Sequence, residues 1–163
     1  MYQYPKRLWR RKSIGLMVSI ILNCDFDQAK NLSELEGKIF STSWDPLWIR
    51  EKINNENAIY WVKKEDDEIV GYLAIQFVGE DIEILGLGVL EDYRGKGYAS
   101  DMLFAMMNHL KQYNYNKVFL EVRDSNNVAK NLYSKFNFNR SGTRLNYYKD
   151  ENAALYEMSI NNE

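Results

Sequence analysis

The chain has 163 residues, of which 45% are hydrophobic and 27% charged, so its length and composition indicate one globular domain rather than a disordered chain. Its single cysteine, Cys24, excludes an intrachain disulfide and fits a reducing, cytoplasmic compartment, and one cysteine with one histidine excludes a cysteine/histidine zinc finger. The net charge of −2 argues against a nucleic-acid-binding protein.

The charge is distributed unevenly. Residues 1–16 carry five basic residues and no acidic one, whereas the other 147 residues hold 16 basic and 23 acidic residues, a balance of −7. The basic stretch, the apolar run Ile14–Leu22 and Cys24 resemble a secretory signal that ends at a lipid-modified cysteine, although the run is short for that and far too short to span a membrane. A basic arm that touches RNA or anionic lipid is a second interpretation. We favour a third, in which residues 1–16 are a dispensable, disordered extension ahead of a start at Met17, and residues 17–163 form the domain.

The first elements after Met17 are a short strand and two helices. Val18–Leu22 is apolar and predicts a strand. Asp25 and Gln28 have the spacing of a capping box, in which each side chain bonds the other residue's backbone N–H at a helix start. Apolar residues then recur at helical spacing: Ala29, Leu32, Leu35 and Ile39. Asp45–Pro46 predicts the start of a second helix, because an acidic cap before a proline suits the first helical turn.

Three strand-like runs come next, at Ala58–Lys63, Ile69–Val78 and Ile82–Val89. Only a few residues connect them, which antiparallel neighbours allow and parallel neighbours do not, so the runs predict an antiparallel meander. In the third run the apolar residues change from one face of the strand to the other midway. Because Gly86 and Gly88 lie in this run, the change predicts a β-bulge.

The second half of the chain alternates helices and strands. The predicted elements are a long helix at Gly97–Tyr113, a strand at Val118–Val122, a helix at Asn126–Phe136, and strands at Phe138–Thr143 and Leu155–Ile160. The residues expected to face the core on the two helices are Leu103, Met106, Met107 and Leu110, and then Val128, Ala129, Leu132 and Phe136. Asn137 stands where a left-handed residue often ends a helix, and asparagine adopts that conformation readily.

The most informative segment is the glycine-rich turn Arg94–Ala99, which links a strand to the long helix. Glycines allow a tight turn, and the first N–H groups of a helix have no partner within it, so such a turn can bind a pyrophosphate. A P-loop is excluded because no Gly-Lys-Ser/Thr closes the segment. A dinucleotide-binding fold is disfavoured, because its turn follows the first strand of a parallel unit, whereas antiparallel strands are expected here.

A third phosphate-binding pattern fits. Arg94-Gly-Lys-Gly-Tyr-Ala99 resembles the Arg/Gln-x-x-Gly-x-Gly/Ala turn with which GNAT acetyltransferases bind acetyl-CoA. Further segments resemble the ribosomal-protein alanine N-acetyltransferases of that family: SWDPLW (Ser43–Trp48), LEVRDSNNVAKNLYSKFNF (Leu120–Phe138) and NYY (Asn146–Tyr148). The resemblance extends over Val18–Ile160 and implies an α/β chain with the GNAT (acyl-CoA N-acyltransferase) fold, a mixed, mostly antiparallel sheet flanked by helices.

The resemblance also implies the site residues. Those for acetyl-CoA lie on the third strand of the meander, in the turn and at the start of the later helix: Leu87, Gly88, Val89, Arg94, Gly95, Lys96, Gly97, Tyr98, Ala99, Ser100 and Asn126. Glu121 matches the family's proton acceptor and Tyr133 its proton donor. The candidate substrate contacts are Trp44, Tyr147 and Tyr148.

The residue pattern supports some of these roles and leaves others open. The apolar residues around Glu121 share one face of their strand, so Glu121 points to the other face, near the carboxyl end of the strand, where open α/β sheets bind ligands. Considered alone, Glu121 could be a solvated acid paired with Arg123, and Tyr133 could only pack. For Trp44 and Trp48 the pattern favours burial in the core, because tryptophan is readily buried.

The function that the resemblance implies is transfer of acetyl from acetyl-CoA to the N-terminal α-amine of a protein, such as the N-terminal alanine of a ribosomal protein, by direct attack. One alternative is acetylation of a small-molecule amine or of a lysine side chain, whose pKa of about 10.4 demands a stronger base. Another is a CoA-binding module without catalysis. We expect acetyl-CoA as cosubstrate, no metal, and a cytoplasmic monomer without DNA or membrane partners.

Overall fold

The computed structural model describes residues 18–160, so the predicted dispensable extension of residues 1–16 lies outside the described residues. The strands are β1 (Val18–Ile20), β2 (Ala58–Glu65), β3 (Glu68–Val78), β4 (Asp81–Val89), β5 (Lys117–Arg123), β6 (Asn139–Arg144) and β7 (Ala153–Ser159). The α-helices are α1 (Phe26–Phe40), α2 (Pro46–Asn54), α3 (Tyr98–Leu110) and α4 (Asn127–Lys135). Each element lies within a few residues of the predicted one.

The strands form one seven-stranded sheet in the order β1-β2-β3-β4-β5-β7-β6. β4 and β5 pair in parallel, whereas β1–β2, β5–β7 and β6–β7 pair antiparallel. Two-residue connections join β2 to β3 and β3 to β4, and neighbouring strands joined so tightly must be antiparallel. The predicted mixed, mostly antiparallel sheet with its meander is therefore confirmed.

The described residues divide into two compact units, one of residues 18–75 and 86–106, and the other of residues 76–85 and 107–160.

In the first unit the predicted helix starts are confirmed. Asp25 and Gln28 form the capping box at α1, and the Asp45 side chain caps α2 by accepting from the backbone N–H of Leu47 at 2.8 Å. These caps satisfy N–H groups that a helix leaves unpaired, which is why the two helices begin where they do.

The strand β1 belongs to the folded sheet. It pairs with β2, with Val18 opposite Lys63, and Val18 is buried. Cys24 is also buried, and Asn54 brackets its backbone, accepting from the Cys24 N–H at 2.9 Å and donating to its carbonyl at 2.8 Å. A lipid-modified Cys24 preceded by a removed leader does not fit this arrangement, because residues 18–24 are part of the fold.

Two glycines of β4 allow close approach of side chains in the first unit. A Cβ at Gly86 would lie 2.5 Å from the Tyr72 hydroxyl, and one at Gly88 would lie 2.5 Å from Ile39 and 3.0 Å from Phe40. β4 itself runs without interruption from Asp81 to Val89. The glycines are therefore explained by what packs against them, and the predicted bulge stays a prediction.

In the second unit β5 lies between β4 and β7. Val118, Leu120 and Val122 are buried, as predicted, and Glu121 lies on the opposite face. The end of α4 is also as predicted: Asn137 has a φ of 66°, and the N–H groups of Asn137 and Phe138 bond the carbonyls of Ser134 and Tyr133. This is a Schellman motif, which satisfies carbonyls at the end of the helix.

Three expectations about the helices are corrected. Val128 does not face the core but is 83% exposed; the inward stripe of α4 runs along Ala129 and the buried Tyr133, one position further round the helix. Met107 on α3 is only half-buried. α3 ends at Leu110 rather than Tyr113, because the N–H groups of residues 112 and 113 bond carbonyls three residues back, so the last turn tightens.

His109, near the end of α3, makes stability depend on pH. Its burial lowers the pKa of the imidazole from 6.5 to about 4. Between these values the unfolded chain binds a proton that the folded chain does not, so stability falls on acidification from pH 6.5 to about 4. We expect a loss of about 2–3 kcal/mol over this range, measured by urea unfolding at several pH values. His109→Gln should flatten that part of the profile, and identical pH profiles for the two proteins would contradict the prediction.

Candidate active site

The predicted anion-binding turn adopts the backbone that its glycines allow. Gly95 and Gly97 have φ values of 77° and 82°, and a Cβ at either position would meet open space within 4 Å. α3 begins directly afterwards at Tyr98, so its first N–H groups lie at the turn without helical partners. The turn is thus an open arrangement of backbone donors at the positive end of a helix dipole, which suits a phosphate group.

Arg94, which opens the turn, holds the end of β4. Its Nε donates to the carbonyl of Val89 at 2.9 Å. The backbone N–H of Leu90 donates to the Val70 carbonyl at 2.8 Å and keeps the end of β4 against β3. The resemblance assigns Arg94 to the acetyl-CoA site, and the structure adds a role in bracing the turn.

A lysine of β2 that was not predicted to have a role, Lys63, has its side chain beside the start of α3. The Lys63 side chain is 8% exposed, and its Nζ lies 3.8 Å from an Asp101 carboxylate oxygen and 4.6 Å from the centre of the Tyr98 ring. Lys96 contributes a second ammonium, 3.8 Å from Glu65 and 6.0 Å from the Tyr98 ring. A lysine within the apolar run of β2 was the available signal, since buried lysines are rare unless paired.

The pairing of β4 with β5 is short. The registered pairs run only from Ile82–Val118 to Ile84–Leu120, although β4 continues to Val89 and β5 to Arg123. Among the candidate cofactor residues of β4, Leu87 and Gly88 are half-buried and Val89 is buried.

Glu121 is the first residue of β5 beyond this pairing, and its carboxylate forms an ion pair. Its Oε1 accepts from Nη1 of Arg144 at 2.7 Å. The Arg144 guanidinium lies 4.5 Å from the centre of the Tyr147 ring. Burial raises the pKa of the Tyr147 phenol, and the negative charge of Glu121 raises it further. The alternative pairing of Glu121 with Arg123 is wrong, because Arg123 bonds Asp150 and Glu151 instead.

Tyr133 is buried on the inward face of α4. It is 6% exposed, and its ring packs edge-on against Phe138 at 5.5 Å. Burial raises the pKa of its phenol, and the nearby Tyr148 phenol raises it further. Tyr133 is therefore protonated throughout the neutral pH range, as a proton donor must be.

The loop between β6 and β7 carries the two candidate substrate tyrosines. Tyr147 is 47% exposed, and its ring lies 5.0 Å from that of the half-buried Tyr148. Arg123 anchors the loop to β5, since its guanidinium lies 4.2 Å from the Tyr148 ring and bonds Asp150 at 2.8 Å. These contacts of Arg123 hold the polar loop against β5.

Asn126 caps α4. Its side-chain oxygen accepts from the backbone N–H of Ala129 at 3.1 Å, and the residue is exposed. The cap fixes where α4 begins, a role additional to the predicted cofactor contact.

The favoured burial of the tryptophan pair in the core is wrong. Trp44 is 43% exposed and Trp48 is half-buried. The two rings stack with their centres 4.4 Å apart and an angle of 15° between them. Each ring thus covers one face of the other at the surface. The stacking reduces the exposed apolar area of both rings, although neither lies in the core.

The candidate residues are distributed over both units. Glu121, Asn126, Tyr133 and the two loop tyrosines belong to the second unit, whereas Trp44 and the cofactor residues of β4 and the turn belong to the first. Within residues 18–160, no three histidine, cysteine or acidic side chains are grouped so that they could hold a metal ion. In the same part of the chain no helix is long and apolar enough to cross a membrane.

Comparison with known proteins agrees with the resemblance found in the sequence. The chain matches the Acetyltransferase (GNAT) family over residues 29–138. It is 31% identical over 151 residues to the ribosomal protein bS18-alanine N-acetyltransferase of Haemophilus ducreyi, an alignment that covers 88% of this chain and 100% of that protein.

Solved structures share the fold. The ribosomal-protein-S18-alanine N-acetyltransferase of Escherichia coli aligns with a TM-score of 0.76 at 22% identity, over 88% of this chain and 94% of that one. Arabidopsis thaliana NAA60 in complex with acetyl-CoA aligns with a TM-score of 0.75 at 18% identity, over 88% and 98% of the two chains. At these identities the structural likeness supports the fold.

Proposed function

The chain belongs to the acetyltransferase (GNAT) family and is an N-acetyltransferase, and we propose that it moves acetyl from acetyl-CoA to the N-terminal α-amine of a protein. The acceptor we propose is the N-terminal alanine of a ribosomal protein, the substrate class named for the relative from H. ducreyi. The observation that carries the proposal is the carboxylate of Glu121, held in place on β5 in a chain that also has an anion-binding turn.

Acetyl-CoA is proposed to bind along β4 and at the turn. The two left-handed glycines leave open space over backbone donors at the start of α3, which suits the pyrophosphate. Leu87, Gly88 and Val89 would offer backbone groups to the pantetheine arm. Lys96 supplies positive charge, and Asn126 would contact the cofactor from the start of α4.

The chemistry needs a base, donors for an oxyanion and an acid. The neutral amine attacks the thioester carbonyl carbon, and its proton passes to Glu121 directly or through water. Backbone N–H groups near Val89 would stabilise the oxyanion of the tetrahedral intermediate. When the C–S bond breaks, the departing thiolate takes the proton of the Tyr133 hydroxyl. The products are the N-acetylated chain and free CoA.

An α-amine suits this base. Its pKa is about 7.7–8.0, so a carboxylate can supply the neutral nucleophile near pH 7, whereas a lysine amine near 10.4 is far harder to deprotonate. Trp44, Tyr147 and Tyr148 are the proposed acceptor contacts. The balance of −7 outside residues 1–16 favours a basic acceptor such as the tail of a ribosomal protein. We further propose a cytoplasmic monomer without DNA or membrane partners.

A mixed library of N-terminal peptides, scored by mass spectrometry after incubation with acetyl-CoA, tests the proposal. We expect acetylation at the α-amine, with peptides that begin with alanine preferred. Acetylation confined to lysine side chains would contradict the acceptor. Tight acetyl-CoA binding with no acetylated peptide would instead indicate a CoA-binding module.

Gly97→Ala should raise the KM for acetyl-CoA about tenfold, because a side chain at a φ of 82° strains the turn by roughly 1–2 kcal/mol. Gly79→Ala is the matched control, since Gly79 also has a positive φ of 63° and open space but lies in the β3–β4 connection. Steady-state kinetics and thermal unfolding of both variants make the comparison. Similar thermal destabilisation with an equal KM in the two variants would refute a cofactor role for the turn.

A protein that starts at Met17 should retain the full acetylation rate, because we propose that residues 17–163 are the complete catalytic domain. Val18 pairs with Lys63 of β2, so this start retains the edge strand of the sheet. The rate is compared with that of the full chain on a short peptide and on an intact ribosomal protein. A loss confined to the intact ribosomal protein would assign a binding role to the basic residues 1–16.

A further inference from the structure

A buried carboxylate on α1, Glu36, takes no part in the chemistry proposed above. It is 2% exposed, yet both of its oxygens accept hydrogen bonds. Oε2 accepts from the backbone N–H of Trp44 at 3.0 Å, and Oε1 accepts from the Tyr60 hydroxyl at 2.9 Å. A buried carboxylate is costly unless its oxygens are satisfied, so these two partners account for its position.

The same helix also holds the other backbone group of Trp44. The Ser33 hydroxyl donates to the Trp44 carbonyl at 2.7 Å. Ser33 and Glu36 are three residues apart on α1 and therefore lie on one face of it. The N–H and the carbonyl of an exposed tryptophan are thus both held by side chains from the interior, while its ring stacks on Trp48.

The second partner of Glu36 connects this arrangement with the packing beside β4. Tyr60 is fully buried, and its ring stacks on Tyr72 with the centres 6.0 Å apart. The Tyr72 hydroxyl occupies the space beside Gly86. Glu36 thereby ties the backbone of Trp44 to residues packed against the strand that carries Leu87–Val89.

We propose that Glu36 is a positioning residue for the acyl acceptor, fixing the stacked Trp44–Trp48 pair as a rigid aromatic wall for the first residues of the acceptor peptide. This inference rests on the proposed function, in which Trp44 contacts the acceptor. A wall ordered before binding spares the peptide the entropy of ordering it, so Glu36 acts on peptide affinity rather than on bond breaking.

The first test compares Glu36→Leu with Glu36→Gln. Leucine leaves the Trp44 N–H and the Tyr60 hydroxyl without an acceptor. We expect the KM for the peptide to rise about tenfold, which corresponds roughly to the loss of one aromatic contact. The kcat and the KM for acetyl-CoA should stay within about twofold, since the reacting groups are untouched. Glutamine can keep both bonds if the Tyr60 hydroxyl reverses, and burial already raises the pKa of the Glu36 carboxyl. We therefore expect Glu36→Gln to behave as the wild type.

A second readout reports the tryptophan geometry directly. Stacked indoles couple in the far-ultraviolet circular dichroism spectrum, and Trp44→Phe identifies the part of the signal that belongs to this pair. Glu36→Leu should lose that signal and Glu36→Gln should keep it. If Glu36→Leu does not fold, Glu36→Asp serves, because its carboxylate is one methylene too short to keep both bonds.

The outcomes separate the possibilities. A folded Glu36→Leu with the wild-type tryptophan signal and peptide KM overturns the proposal. An equal rise in the KM values for peptide and acetyl-CoA, with a lower Tm, overturns it in favour of a general structural role. If the wild type acetylates no N-terminal peptide, the proposed function fails instead, and the dichroism comparison alone then decides whether Glu36 holds the tryptophan pair.

Discussion

Tyr133→Phe should lower kcat by roughly 10²- to 10⁴-fold, the usual contribution of a positioned general acid, with little change in the affinity for acetyl-CoA. The substitution removes only the hydroxyl. The ring that packs against Phe138 at 5.5 Å remains, so the fold of α4 is retained. Burial raises the pKa of this phenol, so the donor form is fully populated at neutral pH. Without it, the thiolate must leave unprotonated.

Single-turnover kinetics with saturating acetyl-CoA measure this step. Tyr156→Phe is the matched control: Tyr156 is also buried, lies opposite Leu120 on β7, and has no proposed role in the reaction. We expect its kcat to stay within about twofold of the wild type. Wild-type turnover in Tyr133→Phe would remove Tyr133 as the acid, and an equal loss in both variants would indicate a packing effect.

The features that could be predicted from the sequence are those decided within a few residues. The capping box of Asp25 and Gln28, the Asp45–Pro46 start and the left-handed Asn137 depend on bonds to neighbours along the chain. Their physics is local, so a short window contains all the information. The turn Arg94–Ala99 is similar, because its glycines and the following helix determine its backbone.

The rotation of an element against the rest of the fold could not be predicted in this way. Val128 is apolar and correctly spaced, but the inward face of α4 is centred on Tyr133, a turn away. One residue of helix rotates the side chain by about 100°, so the edge of an apolar stripe is ambiguous. Trp44 shows the same limit, since its stacking on Trp48 replaces burial in the core.

Polar partners that are distant in sequence could not be predicted either. Glu121 was recognised, but its partner Arg144, 23 positions away, was not. Lys63 with Asp101 and Glu36 with Trp44 are further examples. An unusual polar residue in an apolar run signals that a partner exists, whereas its identity depends on how the strands and helices are brought together.

Arg144 also affects what we expect of Glu121, the proposed base. Its guanidinium holds one oxygen of Glu121 at 2.7 Å, and the Glu121 side chain is 20% exposed. The ion pair keeps the carboxylate in one orientation. Substitutions at Glu121 and Arg144 therefore separate the loss of the base from the loss of its orientation.

Glu121→Gln should lower kcat/KM at neutral pH by about 10²-fold or more, because the amide keeps the shape of the side chain but cannot accept the proton of the amine. The loss should shrink as pH rises through the pKa of the α-amine, about 7.7–8.0, since the neutral nucleophile then forms without a base. Arg144→Gln, which retains the carboxylate and loses its orientation, should show a smaller loss. Glu157→Gln breaks the Lys117 ion pair on the same face of β5 and β7 and should leave the rate unchanged. A pH–rate profile of Glu121→Gln parallel to that of the wild type would exclude Glu121 as the base, because removal of the base must change how the rate depends on the protonation of the amine.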